Sequence, residues 1–183
     1  MDFRAVTRKL VAEFSQQGIA YGLIGGYAVG LWGVPRGTVD MDFLVRLVDL
    51  PKVQRIMEST GYEVRFSSEN VTQYQSKDGI FGEIDFLHAF RAASLAMLQR
   101  TATKSLFQEG VSIQVLIPED LIGLKVQAFA NDGTREALDM YDIETLMKIH
   151  HATMDWELVG SYFEVFDNLP LFESLKRKYH AAE

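Results

Sequence analysis

The chain has 183 residues, with 18 Lys+Arg against 25 Asp+Glu and a formal net charge of −7. Its 48% hydrophobic and 23% charged residues argue against a disordered chain, and the lack of cysteine excludes disulfides, thiol catalysis and Cys-ligated zinc. No apolar run approaches the ~20 residues of a membrane span, the N-terminus has no signal-peptide core, and the acidic balance disfavours sequence-blind nucleic-acid binding, so a cytoplasmic protein with no membrane partner is expected.

Residues 2–17 set Phe3, Val6, Leu10 and Phe14 at helical spacing and predict an amphipathic helix closed by Gly18. Residues 21–24 form a short apolar strand that stops at Gly25-Gly26, with a helix over 28–32. Residues 42–48 are rich in β-formers and predict a strand. Asp49 then caps a helix that carries Pro51 in its first turn and runs to about residue 60. Three strands follow, over 62–66, 71–75 and 82–87, with polar turns at 67–70 and 76–79. A helix over 92–100 leads to a hairpin, 105–108 and 111–116, with Glu109-Gly110 at its tip. From residue 118 the pattern is helical, over 119–130, 135–150, 155–166 and 171–179. Strands first and helices last predict an α/β (α+β) fold. Its core spans 1–117, and a C-terminal helical region, 118–183, packs on that core.

One constellation carries chemistry. Gly25-Gly26 is followed by Arg36, Thr38, Asp40 and Asp42, and Asp85 lies later in an apolar strand. Residues two apart on a strand share a face, so Asp40 and Asp42 project together if the strand begins at or just before them. Adjacent carboxylates repel unless something neutralises them, and a divalent cation does so. Mg²⁺ suits a few carboxylates plus substrate phosphate oxygens. If the Asp85 strand lies beside that of Asp42, three carboxylates meet in the arrangement of a metal-assisted phosphoryl or nucleotidyl transfer site. Glu83 shares the face of Asp85 and is the alternative third carboxylate. The Gly-Gly turn lets backbone approach a phosphate, and Arg36 can add a bidentate contact.

These residues, from Ile24 to Val45, resemble the nucleotidyltransferase superfamily with the DNA polymerase β-like fold: Gly-Gly, a spacer, Asp-x-Asp, then a third Asp. The form Arg-x-Thr-x-Asp-x-Asp looks most like the AbiEii-type toxin group and its unclassified bacterial relatives. Lys125, Arg135, Asp139 and Asp142-Ile143 extend the likeness, which covers roughly residues 20–150. The resemblance implies a nucleotidyltransferase fold with a mixed central sheet flanked by helices. It also implies transfer of NMP from an NTP donor to an acceptor hydroxyl on a tRNA or other RNA end, a protein or a small molecule. In that reading Asp40, Asp42 and Asp85 hold Mg²⁺, or Mn²⁺ in its place, with Asp85 as base. Gly25 and Gly26 position the triphosphate, Lys125 reaches the nucleotide phosphates, and Asp142 supports Lys125 or the acceptor. A toxin role with an antitoxin protein partner is implied as well. The alternatives are a non-catalytic nucleotide-binding or interaction module of this fold, and a structural protein with solvated carboxylates.

For the remaining residues a structural role is expected. His88 reads as a structural histidine, and His150-His151 as favoured by a helix C-terminus. Lys125 could also be a solvated helix position, Arg135 and Asp139 an exposed i,i+4 pair, and Lys176-Arg177-Lys178 a solvated helix end.

Overall fold

Alternation of apolar residues sets the strand pairing in the first half of the chain. The computed structural model describes residues 3–77, 82–106 and 110–180. Contacts divide the chain into two compact units, Met1–Ala28 with Arg36–Leu116, and Val29–Pro35 with Ile117–Glu183.

Unit 1 holds α1 (Phe3–Gln16), β1 (Tyr21–Ile24), the start of α2 (Gly25–Leu31), β2 (Met41–Arg46), α3 (Leu50–Ser59), β3 (Tyr62–Ser67), β4 (Val71–Ser76), β5 (Ile84–Ala89), α4 (Ala92–Met97), β6 (Ala102–Leu106) and β7 (Val111–Val115). Its strands form one mixed seven-stranded sheet in the order β3-β4-β5-β2-β1-β7-β6. β2 runs parallel to β5 and antiparallel to β1, while β1 and β7 are parallel. The α/β class with a mixed central sheet is therefore as expected.

The register is pinned by aromatics. Phe43 on β2 lies opposite Phe86 on β5, and their rings stack with centroids 5.5 Å apart. Phe14 of α1 meets both edge-on, at 6.0 and 6.2 Å, and Tyr74 of β4 meets Phe86 at 5.7 Å. Phe14, Phe43 and Phe86 are fully buried, each contributing about 1.5–3 kcal/mol by burial. A one-residue slip would turn these rings outward and drive Asp42 and Asp85 into the aromatic layer. The core thus fixes the register of the carboxylates on the opposite face.

Unit 2 holds α5 (Pro118–Asn131), α6 (Glu136–His150), α7 (Trp156–Val165) and α8 (Leu169–Tyr179). Small residues let these helices close up. A Cβ on Gly123 would stand 2.6 Å from the Tyr162 ring, and one on Gly160 2.9 Å from the Phe172 ring. Asp155 caps α7 by accepting the Glu157 and Leu158 N–H groups, and its own N–H donates to Glu119 of α5 at 3.0 Å. No helix among the described residues is long and apolar enough to cross a membrane.

Several boundaries differ from the sequence reading. α2 begins at Gly25, three residues early, so the Gly-Gly pair forms its first turn. β5 is shifted two residues later, to Ile84–Ala89, α4 stops at Met97, and β6 starts at Ala102. Asp49 makes no side-chain cap. It is buried and accepts from Arg46 Nε at 2.7 Å, with Lys52 Nζ at 3.7 Å, because an available guanidinium gives a carboxylate a stronger bond than a helix N–H. Asp78 and Gly79 of the expected turn, and Glu109 of the expected hairpin tip, lie outside the described residues.

Candidate active site

The central pair follows directly from the register. Asp42 on β2 is the partner of Asp85 on the adjacent parallel strand β5, and directly opposed residues share a sheet face. Asp40 immediately precedes β2, two residues from Asp42. Its charge is felt at Asp85, as is that of Glu83.

Gly25 explains why the Gly-Gly pair and the Asp-x-Asp pair occur together. Ile24 is opposite Asp42 across β1 and β2, so the chain leaves β1 beside the Asp42 carboxylate. Gly25 has φ +67, and a Cβ there would fall 1.9 Å from Asp42 Oδ2. A side chain is excluded both by backbone conformation and by space. At Gly26 a Cβ would fall 2.6 Å from Thr38 Cβ, and the Thr38 hydroxyl donates to the Asp40 carbonyl at 3.2 Å. The room left by the two missing side chains is thus taken by this chain's own Asp42 and Thr38. Arg36, half-buried, stands two residues before Thr38.

Asp85 is held differently. Gln73, its register partner on β4, donates from Nε2 to Asp85 Oδ2 at 2.6 Å. The other oxygen, Oδ1, is buried and has no hydrogen-bond partner. Burial pushes the Asp85 carboxyl above its ordinary value of 3.8, and Asp40 and Glu83 add to this, while the Gln73 bond and Arg65 pull it down. Glu83 precedes β5, and its carboxylate pairs with Arg65 of β3. Arg65 sits at the β-bulge between Val64 and Phe66. The two alternatives for the third carboxylate therefore stand in different surroundings. Asp85 has an orphaned oxygen, whereas Glu83 already has a cationic partner.

A divalent cation fits these donors. Hard carboxylate oxygens suit Mg²⁺ or Mn²⁺, the Asp42 carboxylate is seated against Gly25, and Asp85 Oδ1 is left over for a ligand. Among the described residues no three His, Cys, Asp or Glu side chains are gathered as a ready-made ion cage. Mg²⁺ commonly completes its shell with water and substrate phosphate oxygens.

The Lys125 segment forms a second charged cluster, in unit 2. Lys125 is buried, and its Nζ reaches Asp139 Oδ1 at 2.8 Å and Asp142 Oδ2 at 2.7 Å. Arg135 Nε meets Asp139 Oδ2 at 3.2 Å. Both carboxylates are fully buried. This corrects two expectations, since Lys125 is not a solvated helix position and Arg135–Asp139 is not an exposed pair. Lys125 is buried within its own unit beside two buried acids, which need a counter-charge.

His88 and His150 are held by hydrogen bonds within the fold. His88 is buried between the Thr72 hydroxyl at 3.0 Å and the Glu69 carbonyl at 2.8 Å. His150 Nε2 contacts the Trp32 carbonyl at 2.9 Å, tying α6 to the Val29–Pro35 segment of the same unit. Lys176-Arg177-Lys178 forms the last turn of α8, where Lys178 bonds Glu144 at 2.6 Å. Gln73 is the site-adjacent residue that the sequence reading missed. Its signal is a polar residue on the strand facing Asp85, visible only once the pairing of β4 with β5 is known.

The chain matches, over residues 2–164, the profile of a family described as uncharacterised nucleotidyltransferases. No curated protein matches it by sequence. Among solved structures, the solution structure of the antibiotic-resistance factor ANT(2'')-Ia is similar at 18% identity and TM-score 0.64, covering 98% of this chain and 99% of that one. The crystal structure of ANT(2'')-Ia with adenylyl-2''-tobramycin gives 14% and 0.59, covering 98% and 99%. The lincosamide antibiotic adenylyltransferase LnuA, lincomycin-bound, gives 18% and 0.51, covering 76% and 93%. At these identities the likeness is one of fold.

Proposed function

Since the chain belongs to this nucleotidyltransferase family, we propose that it is a metal-dependent enzyme moving NMP from an NTP to an acceptor hydroxyl. The observation that carries this reading is the in-register Asp42–Asp85 pair, with Gly25 held against Asp42. Asp40, Asp42 and Asp85 would hold Mg²⁺ or Mn²⁺, which supplies charge neutralisation on the phosphates. The Gly25-Gly26 backbone and Arg36 bind the triphosphate. The acceptor oxygen bonds to the α-phosphorus, the bond to the pyrophosphate oxygen breaks, and Asp85 takes the hydroxyl proton. Positioning and electrostatics provide most of the rate.

The net acidic charge of the chain favours a cationic small-molecule acceptor over RNA. Unit 1 has twelve Lys/Arg against twelve Asp/Glu, while unit 2 has six against thirteen, so the whole excess of −7 lies on unit 2. An acidic balance over the whole chain disfavours a polyanionic acceptor held through charge alone. The antibiotic-bound fold neighbours are consistent with that class. The toxin role and an antitoxin partner rest on the Arg-x-Thr-x-Asp-x-Asp likeness alone. Lys125 is engaged with Asp139 and Asp142, so a phosphate role for it requires exchange of those partners.

The test is thermal unfolding with Mg²⁺ and each NTP, on the wild type and Asp42→Asn. A ligand at 100 times its Kd stabilises by about 2.7 kcal/mol, roughly 5–10 °C in Tm. The expected result is a metal-dependent shift with at least one NTP, lost in Asp42→Asn. Absence of any shift at millimolar NTP, together with no NMP transfer to a panel of amine-bearing acceptors, overturns the reading.

A further inference from the structure

We propose that Gln73 is a positioning residue. In this view it locks the Asp85 carboxylate through Oδ2 so that Oδ1 is reserved for the divalent cation. The inference rests on the nucleotidyltransferase reading and adds to it the device that aims the third carboxylate.

Three observations converge. Gln73 is the register partner of Asp85 on β4, the strand on the far side of β5 from β2, so Asp85 is flanked in register by Gln73 on one side and Asp42 on the other. The Gln73 amide donates to only one carboxylate oxygen, at 2.6 Å. The second oxygen is buried with no partner, an arrangement that is costly unless a ligand completes it. A carboxylate alone on a sheet face rotates about its side-chain torsions. A short bond to one oxygen removes that freedom and leaves the two oxygens inequivalent.

The residue type matters. Arg or Lys at position 73 would lock Asp85 equally well but would neutralise the charge that must hold a cation. Glu would add a repelling carboxylate. An amide donates a hydrogen bond and brings no net charge, so it orients Asp85 without competing for its ligand. The rest of β4 supports the placement of this donor. Thr72 and Tyr74, on the opposite face, are buried against His88 and Phe86, so the strand that carries Gln73 is fixed from behind. Second-sphere partners of this kind typically change metal affinity or activity 10–100-fold.

The test measures Mn²⁺ binding from the free-ion EPR signal, with Mn²⁺ alone and with Mn²⁺ plus a non-hydrolysable α,β-methylene NTP. The proteins are the wild type, Gln73→Met, Gln73→Leu, Asp85→Asn and the double variant Gln73→Met/Asp85→Asn. Met keeps the length of the glutamine stem and removes the donor, and Leu is a second shape in case Met does not fold; Tm is recorded for each. The expected result is a roughly 10-fold or greater loss of Mn²⁺ affinity in Gln73→Met with Tm little changed. No further loss is expected when Asp85 is already Asn, since the two residues act through one atom. If wild type binds Mn²⁺ and the Gln73 variants bind it equally well, the positioning role is overturned and the nucleotidyltransferase reading stands. If Gln73→Met weakens binding by the same factor with Asp85 and with Asn at position 85, Gln73 acts independently of Asp85, and the proposal is overturned. If wild type binds no Mn²⁺ with or without the NTP analogue, the metal-dependent reading fails and this inference fails with it.

Discussion

Two groups of acidic residues in this molecule have opposite solutions to the same electrostatic problem. In unit 2, Asp139 and Asp142 are fully buried, and Lys125 sits between them within 2.8 Å of each. In unit 1, Asp42 and Asp85 share a sheet face, and the partner offered to Asp85 is a neutral amide. The first group carries its counter-charge internally. In the second, burial raises the Asp85 carboxyl, and its Oδ1 is buried with no hydrogen-bond partner. Identical side chains thus stand beside a lysine in one place and a neutral amide in the other, and the difference lies in what faces them.

The strongest way to break that comparison is Lys125→Met. Removing the amine takes the shared ammonium from two buried carboxylates, while the half-exposed Arg135 stays on Asp139. Breaking a buried ion pair by deleting one partner costs about 3–5 kcal/mol, on the order of 10 °C in Tm for a chain of this size. Urea and thermal unfolding measure it. An unchanged Tm would mean that Lys125 is not the counter-charge of this cluster and is available for other work.

Gly25→Ala acts on the second group instead. A methyl group would sit 1.9 Å from Asp42 Oδ2 at a backbone φ of +67. The strained conformation alone costs about 1–2 kcal/mol, and displacement of the carboxylate by about 1 Å lowers turnover on the order of 100-fold. The expected signature is a modest drop in Tm with loss of the Mg²⁺–NTP shift. A full shift retained in Gly25→Ala would show that Asp42 need not sit where the glycine places it.

The sequence made much of this legible, for reasons that also mark where it stops. The period-2 and period-3.6 patterns locate the strands and helices because each element has a buried face, as Phe43 and Phe86 or Leu146 and Met147 illustrate. Asp40, Asp42 and Asp85 stand out because a charge within an apolar strand requires a reason. The position of the Gly-Gly pair inside α2 was not legible, since glycine disfavours helix by propensity and only the Asp42 contact explains its presence. Nor was the burial of Lys125 and Asp139, which depends on how α5 and α6 face each other. Gln73 was hidden for a related reason, because a glutamine in a hairpin strand has no significance until β4 is paired with β5. The grouping of Val29–Pro35 with the C-terminal helices is likewise a tertiary fact with no local signal.

Asp85→Asn sharpens the contrast through pH. Burial first, with Asp40 and Glu83 adding to it, raises the Asp85 carboxyl above 3.8, opposed by Gln73 and Arg65. The folded state therefore holds this proton more tightly than the unfolded state does. The associated stability is fully present below the unfolded value and is lost as pH rises through the raised one. Without metal, Asp85→Asn should match or exceed the wild-type Tm at about pH 7, and the gap should close towards about pH 4. With Mg²⁺ and NTP the order should invert. A wild type more stable than Asp85→Asn at neutral pH without any ligand would show that Asp85 is already compensated.

The smallest effect expected is that of Arg135→Ala, and it tests whether burial or charge count governs the brace. Arg135 bonds Asp139 at 3.2 Å, but its side chain is 49% exposed, so water screens the pair and its worth is at most about 1 kcal/mol. It also stands at the N-cap of α6, where the helix dipole disfavours a cation, and removing it relieves that repulsion. The two terms oppose, and the net change in unfolding free energy should be within about 0.5 kcal/mol of zero. Asp139 keeps Lys125 in the variant, so the buried acid is never left alone. If Arg135→Ala instead destabilised the protein as much as Lys125→Met, the two cations and two carboxylates would form a single cooperative network. The brace would then depend on a guanidinium that solvent can reach, and its contrast with the Asp42–Asp85 pair of unit 1 would disappear.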